Sequence, residues 1–527
     1  MSKDLSSGPV VPAQLNYSSA LPVAIESRSQ RRHYFPSNGD VFGPSKINQV
    51  RFNINSDNMV DFTHSYFAMT LENSAAAGKN LAPDVGVPWI SRIQISSGGQ
   101  DLEDINEYAR LHAMMLQLQG SLQNLPEWTN TYNTRQQNVL AAADITAGDF
   151  VGTHNAGGIT YTPANAGEAT ATNDALNAAI EAKIIDGVSQ MNQAQVSLVH
   201  NSSSGDATSG NIAPSQKRTY NFPVISAIFN LTKYFPLVLT SQGLDVIFHL
   251  APAVQIGAWT HNATVPDYTI TNCRFVSHEV SLDATFYDRL RSSVASSSGV
   301  LTLAGETFRH YLNTTPGGAA GPHSLNISAR VKSLKALLSR CTESNATNED
   351  DVFSLGVGQA TAKSYQYRIG SVLYPQTKIK TGGDAGDASY AGTGEVTQEI
   401  RKCFGVIGDY THGSLLTKTS QENLPGAATI AAAGANETPN STMPRQAAAC
   451  QLATLAYDFQ SFSKTATESG LNLSDRALSV TMDIETNPSY NRANGAAAVA
   501  SPQRIDTFAV CDCMIYIGID GSVTTRI

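Results

Sequence analysis

The sequence predicts an all-β fold made of two tandem units. Three observations carry that prediction. Short runs that alternate apolar and polar residues recur in both halves; one strand-loop-strand figure occurs twice; and charged residues make up only 15% of 527 while Gly, Ser, Thr, Asn and Ala abound. A chain of this length exceeds an ordinary single core, so its size calls for two large domains or one long β architecture. The loop-forming, weakly charged composition speaks against helical bundles and solenoids.

Taken in order, Gln49 to Ile54 places Val50, Phe52 and Ile54 on one face and Arg51 and Asn53 on the other, as a half-buried strand requires. In RIQISSGGQDLEDINEYARLH, Arg92 to His112, the strand is expected to end at SSGG, where glycine turns without Cβ strain. A helix is expected to follow, N-capped by Asp101 with Asp104 at the capping-box position. Ile105, Tyr108, His112, Met115 and Leu118 then form its core stripe. Thr134 to Pro214 is a low-complexity insertion, and loops of that length are usually surface elaborations.

Alternation returns at Leu244, Val246, Phe248 and Leu250, and LDVIFHLAP, a polar loop and YTITNCRFVSHEVSLD close the first unit near Asp283. The serine-rich stretch Arg291 to Gly299 reads as the joint. Leu325, Ile327, Ala329 and Val331 alternate next, followed by a second insertion, Thr381 to Met443, that holds a short helix over Glu395 to Phe404. Leu478, Val480, Met482 and Ile484 alternate in turn. The segments ALSVTMDIET and IDTFAVCDCMIYIGIDG, again with a polar loop between them, repeat the figure that closed the first unit.

The candidate chemical motifs read better as packing and turns than as sites. Glycines before a helix N-terminus can cradle a phosphate, but Asp101, Glu103 and Asp104 crowd the anion position. Each carboxylate within reach would repel a phosphate by about 1 kcal/mol even in a water-like dielectric. As an acid pair, Glu103 and Glu107 would need an apolar pocket to separate their pKa values, and their face reads as solvated. Cys511 and Cys513 share a strand face with Ala509, Ile515 and Ile517, without the further ligands zinc requires, and read as small hydrophobes. GGDAGDAS, Gly382 to Ser389, lacks the ligand run of a calcium loop. No HExxH, GxSxG, Walker or Rossmann pattern occurs. No catalytic residue, metal or cofactor is therefore expected.

The net charge of −9, with one basic cluster at Arg28, Arg31, Arg32 and His33, is thin for condensing a genome. No run approaches the length of a membrane span and the first residues form no secretory leader, so synthesis without secretion is expected. The sparse cysteines fit reduced thiols, and the sequons at Asn230 and Asn326 would stay unmodified.

Several segments resemble double jelly-roll major capsid proteins, especially those of polinton-like viruses and virophages. Phe35 to Asn73 is similar to their opening strands; VPWISRIQISSGGQDLEDINEYARLHAMML to the strand-turn-helix that follows; LTKYFPLVLTSQGLDVIFHLAPA to later strands of the first barrel; and SYQYRIGSVLYPQTKI to a feature of the second. The resemblance implies two tandem jelly-roll β-barrels with short helices and long loop insertions. The domains would be an N-terminal arm over 1–40, a first jelly roll over 41–290 with its insertion at 134–214, a linker over 291–305, and a second jelly roll over 306–527 with its insertion at 381–443. It further implies a homotrimer with pseudo-hexagonal outline, contacts to neighbouring capsomers and to penton and minor or cement proteins, and a place in the virion. Asp101, Asp104, Ile105, Tyr108 and Met115 would form the structural helix of the first barrel, and Arg28, Arg31 and Arg32 an inward-facing basic strip. Direct genome binding is not expected of so short a strip, and nothing in the sequence speaks to an internal membrane. Two other readings stand beside this one: a carbohydrate-binding or fibre-like β protein using Trp128, Trp259 and Tyr268, and a sandwich hydrolase using Asp104 and Glu107.

Overall fold

The computed structural model describes residues 27–74, 80–81, 86–119, 212, 215–256, 258–259, 267–296, 299–315, 321–343, 362–381, 395–404, 454–461, 469–475, 478–486 and 503–527. Apart from Ile212, the first insertion lies outside these residues; so does the second, save for Thr381 and its short helix.

Eight principal strands form the first half: β1 (Ser27–Tyr34), β2 (Gln49–Ile54), β3 (Met59–Asn73), β4 (Ile90–Ser97), β5 (Gln100–Asn106), β6 (Lys217–Phe222), β7 (Leu244–Leu250) and β8 (Tyr268–Leu282). Helix α1 (Tyr108–Gln119) follows β5, and α2 (Ala284–Ser296) leads into the second half. There the strands are β9 (Val300–Thr315), β10 (Gly321–Ile327), β11 (Leu334–Glu343), β12 (Ala362–Ile369), β13 (Val372–Lys380), β14 (Leu455–Asp458), β15 (Val480–Thr486) and β16 (Gln503–Gly518). Helix α3 (Glu395–Phe404) follows β13, and a last strand, β17 (Val523–Arg526), pairs with β16.

The sheet orders repeat. The first half has β1-β8-β3-β6 facing β2-β7-β4-β5; the second has β9-β16-β11-β14 facing β10-β15-β12-β13. Adding eight to each strand number converts one half into the other, and all the pairings are antiparallel. Two four-stranded sheets in this order are two jelly rolls in series.

Alternation explains the cores. Val50, Phe52 and Ile54 on β2 and Val246 and Phe248 on β7 point inward, and Phe52, Phe67, Phe222, Phe248 and Phe275 pack at ring distances of 4.5–6.4 Å. Such tilted and edge-on pairs add about 0.5–1.5 kcal/mol each beyond burial. The second core uses Tyr365, Tyr367, Leu337, Met482, Ile484 and the fully buried Cys511 and Cys513. Burial pushes both thiols up to about 12, so they sit as neutral small hydrophobes.

Three expectations are corrected. Ser27–Tyr34 is not part of an arm: it pairs with β8 along its whole length and is the edge strand of the first sheet. Arg291 to Ser296 continues α2 and β9 starts at Val300, so the joint is only a short break between helix and strand. The helix expected from Asp101 begins at Tyr108 instead. Gly98 and Gly99, both at positive φ (57° and 80°), make a two-residue hairpin turn that sends the chain back as β5.

Candidate functional site at the barrel seam and free edges

Because Gln100–Asn106 is a strand paired with β4, none of its carboxylates stands at a helix N-terminus. Asp101 is exposed on the strand and caps nothing. Asp104 accepts a bidentate pair from Arg92 on β4, at 2.7 and 2.6 Å, and is taken by that cross-strand bridge. Ile105 is a buried strand residue. Tyr108 and Met115 do belong to α1, with His112 and Leu118, and all four are buried. The Tyr108 hydroxyl accepts the Ile225 N–H at 2.8 Å. Glu107, at φ 52°, turns the chain from β5 into the helix, its carbonyl accepting from Arg110 and Leu111.

Glu103, read from sequence as solvated, is buried where the two barrels meet, β5 lying against β9 and β17. The Ala227 N–H donates to both of its carboxylate oxygens (3.0 and 3.1 Å), and the Thr307 hydroxyl, from β9 of the other barrel, donates to it as well. Burial raises its pKa against the opposing pull of these donors. Nearby, the Thr525 hydroxyl on β17 donates to the Leu102 carbonyl at 2.7 Å, and Ser241 donates through N–H and hydroxyl to the Gly521 carbonyl.

One end of the seam is ionic. Arg504 reaches Glu107 at 2.9 Å and Asp506 at 2.9 Å; Arg110 bonds Glu107 at 3.2 Å and approaches Asp506 at 3.5 Å; His310 Nε2 lies 2.8 Å from Asp506. Burial alone would raise the Asp506 carboxyl, but the His310 hydrogen bond and the two guanidinium groups outweigh it and hold it well below the usual range. Glu107 and Arg110 come from the first barrel, the other three from the second. The network couples the barrels as an ion-pair cluster rather than as a lone pair.

Among the described residues no group of three or more His, Cys, Asp or Glu side chains is placed to hold a metal ion, and no helix is long and apolar enough to cross a membrane. The carboxylates of the hydrolase reading, Asp104 and Glu107, are both engaged in ion pairs. Tyr268, named for glycan binding, is wholly buried with its hydroxyl donating to the Ala251 carbonyl at 2.5 Å. Trp128 and GGDAGDAS lie outside the described residues.

No family model matches the sequence, and no curated protein matches it. Solved structures do. The PBCV-1 VP54 chain, fitted into a reconstruction of the virophage Sputnik, aligns at 10% identity over 97% of this chain and 99% of its own, with TM-score 0.51. A chain of the PBCV-1 virus capsid aligns at 10% identity over 97% and 99%, with TM-score 0.50. The chain has the double jelly-roll fold of viral capsid proteins.

A double jelly roll built this way has a covered edge and an open edge of each kind. β5 is covered by the second barrel, whereas its counterpart β13 is exposed along most of its length, with Val372 and Leu373 51% and 40% accessible. β9 buries Leu303, Thr307 and Phe308, whereas its counterpart β1 is exposed from Ser27 to His33. Arg28, Arg31 and Arg32 all stand on this open edge. Arg31 donates to the Tyr66 hydroxyl at 2.8 Å, and Arg32 stacks 5.1 Å over the Tyr34 ring and lies 3.9 Å from the buried Glu279. Sequence reasoning missed Glu103 and the Asp506 network, because their partners lie on the other barrel, far along the chain.

Proposed function

We propose that this protein is the major capsid protein of an icosahedral double-stranded DNA virus, forming homotrimers with pseudo-hexagonal outline that tile the shell. The observation that carries the reading is the pair of jelly rolls in series with identical strand order, aligned end to end with capsid chains. Six such barrels in a trimer present a near-hexagonal tile from only three chains. Jelly rolls also suit a protein made in quantity, because two sheets folded face to face leave few strand edges for aggregation.

The role is structural and non-enzymatic, located in the virion, within a polinton-like or virophage-like group. Penton and minor or cement proteins would complete the contacts between capsomers, and the insertions at 134–214 and 381–443 would supply outward towers or inter-capsomer contacts. Electron microscopy of the expressed protein tests the reading: trimers of pseudo-hexagonal outline are expected, and a strictly monomeric protein would overturn it.

A further inference from the structure

We propose that Lys335 and Asp512 condense into an amide bond that clamps β11 to β16, with Glu306 on β9 as the base that moves the protons. The bond lies within one chain, so the proposal stands apart from the shell-building reading above.

The three side chains come from three neighbouring strands of one sheet, β9-β16-β11. Glu306 is directly opposite Asp512 in the β9–β16 pairing. Lys335 is the extra residue where the β11–β16 register shifts between Leu334 and Ala336, and a bulge of this kind re-aims the side chain it carries. The Lys335 ammonium donates to Glu306 and lies 3.5 Å from Asp512 Oδ1. The lysine and aspartate side chains are only 6% and 7% exposed, whereas Glu306 is 54% exposed. The second aspartate oxygen, Oδ2, accepts the Ser333 hydroxyl at 2.6 Å, and the Ser333 oxygen in turn accepts the Gly470 N–H at 3.0 Å.

This cluster differs in kind from the Asp506 network. There the fixed cations are guanidinium groups, which stay protonated; here the cation is a lysine, whose amine becomes a nucleophile once it gives up a proton. Burial alone would lower the Lys335 pKa, but the hydrogen bond and charge of Glu306, and then the charge of Asp512, outweigh it and raise it. The amine therefore starts charged and needs a base at hand, which Glu306 is.

The step balances without any added reagent. Glu306 takes one proton from the ammonium; the freed amine attacks Cγ of Asp512, forming the C–N bond; the charge that develops on Oδ2 is met by the Ser333 hydroxyl. Oδ1 then leaves as water, carrying two protons that began on the ammonium and pass through Glu306, which ends as it started. Oδ2 becomes the amide oxygen. Two buried charges are replaced by one neutral amide, which removes the standing cost of a desolvated ion pair. Fixed neighbours of this kind reach effective molarities of about 10⁵ M or more, enough to drive a condensation that is slow between free groups. Asp512 rather than Glu306 is the acyl partner because its carboxyl is shielded from water and oriented by Ser333.

Mass spectrometry of the denatured full chain tests this directly. The wild type should weigh less than its sequence by one water, and trypsin should release residues 333–340 joined to residues 505–526, uncut after Lys335. Lys335→Arg should keep the full mass. Glu306→Gln, a change at a half-exposed position, should form the bond about 100-fold more slowly, the usual share of general acid–base catalysis. A wild type of full sequence mass overturns the proposal, whatever the variants do. So does a lost water that maps elsewhere, including a link from 333–340 to 292–309, the peptide that holds Glu306. A bond formed as fast in Glu306→Gln as in the wild type overturns the role of Glu306 as base.

Discussion

Gly305 of the second barrel sits so close to Ala227 of the first that a Cβ added to it would stand 2.5 Å from the Ala227 carbonyl oxygen. The backbone at Gly305 needs no left-handed conformation, so the glycine is there for approach, not for a turn. Gly305→Ala should therefore push the barrels apart at β9 and cost about 1–3 kcal/mol, the usual range for overpacking. Thermal unfolding measures the loss, and an unchanged midpoint would show that the seam yields freely.

Glu103 offers a second probe of the same seam. Glu103→Leu should cost at least about 1–3 kcal/mol, because the Ala227 N–H loses its buried acceptor. Glu103→Gln keeps an acceptor for that N–H without a buried charge and should be much milder. Denaturant titration of the pair checks the order; equal losses would mean that shape rather than hydrogen bonding matters there.

The Asp506 network sets an acid limit. Its carboxyl is held below the unfolded value, so the stabilisation is fully present above about pH 4 and is lost as pH falls through the folded pKa. Asp506→Asn should cost about 3–5 kcal/mol at neutral pH, as expected on breaking a buried charge cluster. The gap to wild type should narrow below pH 4, and a gap independent of pH would remove the ionic account.

His112 acts at a higher pH. Burial lowers its pKa to about 4. A histidine kept neutral in the fold and free to charge when unfolded contributes stability above pH 6.5 that declines as pH falls toward 4. A shift of that size corresponds to roughly 3 kcal/mol at most. His112→Leu should flatten the stability curve across that window. Titration of the ring by NMR with a midpoint near 6.5 would contradict the burial argument.

Where alternation was strong, the fold was legible in the sequence. β2 spans Gln49–Ile54 as its apolar spacing requires, α3 occupies Glu395–Phe404, and the repeated strand-loop-strand figure corresponds to β7–β8 and β15–β16. β1 escapes a sequence reading because SRSQRRHY has no apolar face; it is exposed from Ser27 to His33 and held by backbone pairing to β8, with side-chain bonds from Arg31 to Tyr66 and from Tyr34 to the Asn55 carbonyl. At SSGG, glycines followed by acids suit a helix start and a hairpin equally well. The decisive sign was the Gly-Gly pair between alternating runs, which marks a two-residue β-turn.

The seam was illegible for a different reason. A lone glutamate in a strand reads as solvent-facing unless its cover is known, and for Glu103 the cover includes Thr307, 204 positions away. The arginines of β1 were visible as a cluster, yet their placement on a sheet edge depends on the register with β8, which composition does not encode.

The bond from Thr525 to Leu102 joins residues 423 positions apart. Protein synthesis delivers β5 long before β9 and β17, so the first barrel leaves the ribosome with its seam face bare. During that interval the second barrel of a neighbouring chain offers the same kind of matching surface. Correct pairing of the two barrels is then a race between closure within one nascent chain and capture by another, and the short break between α2 and β9 favours the former.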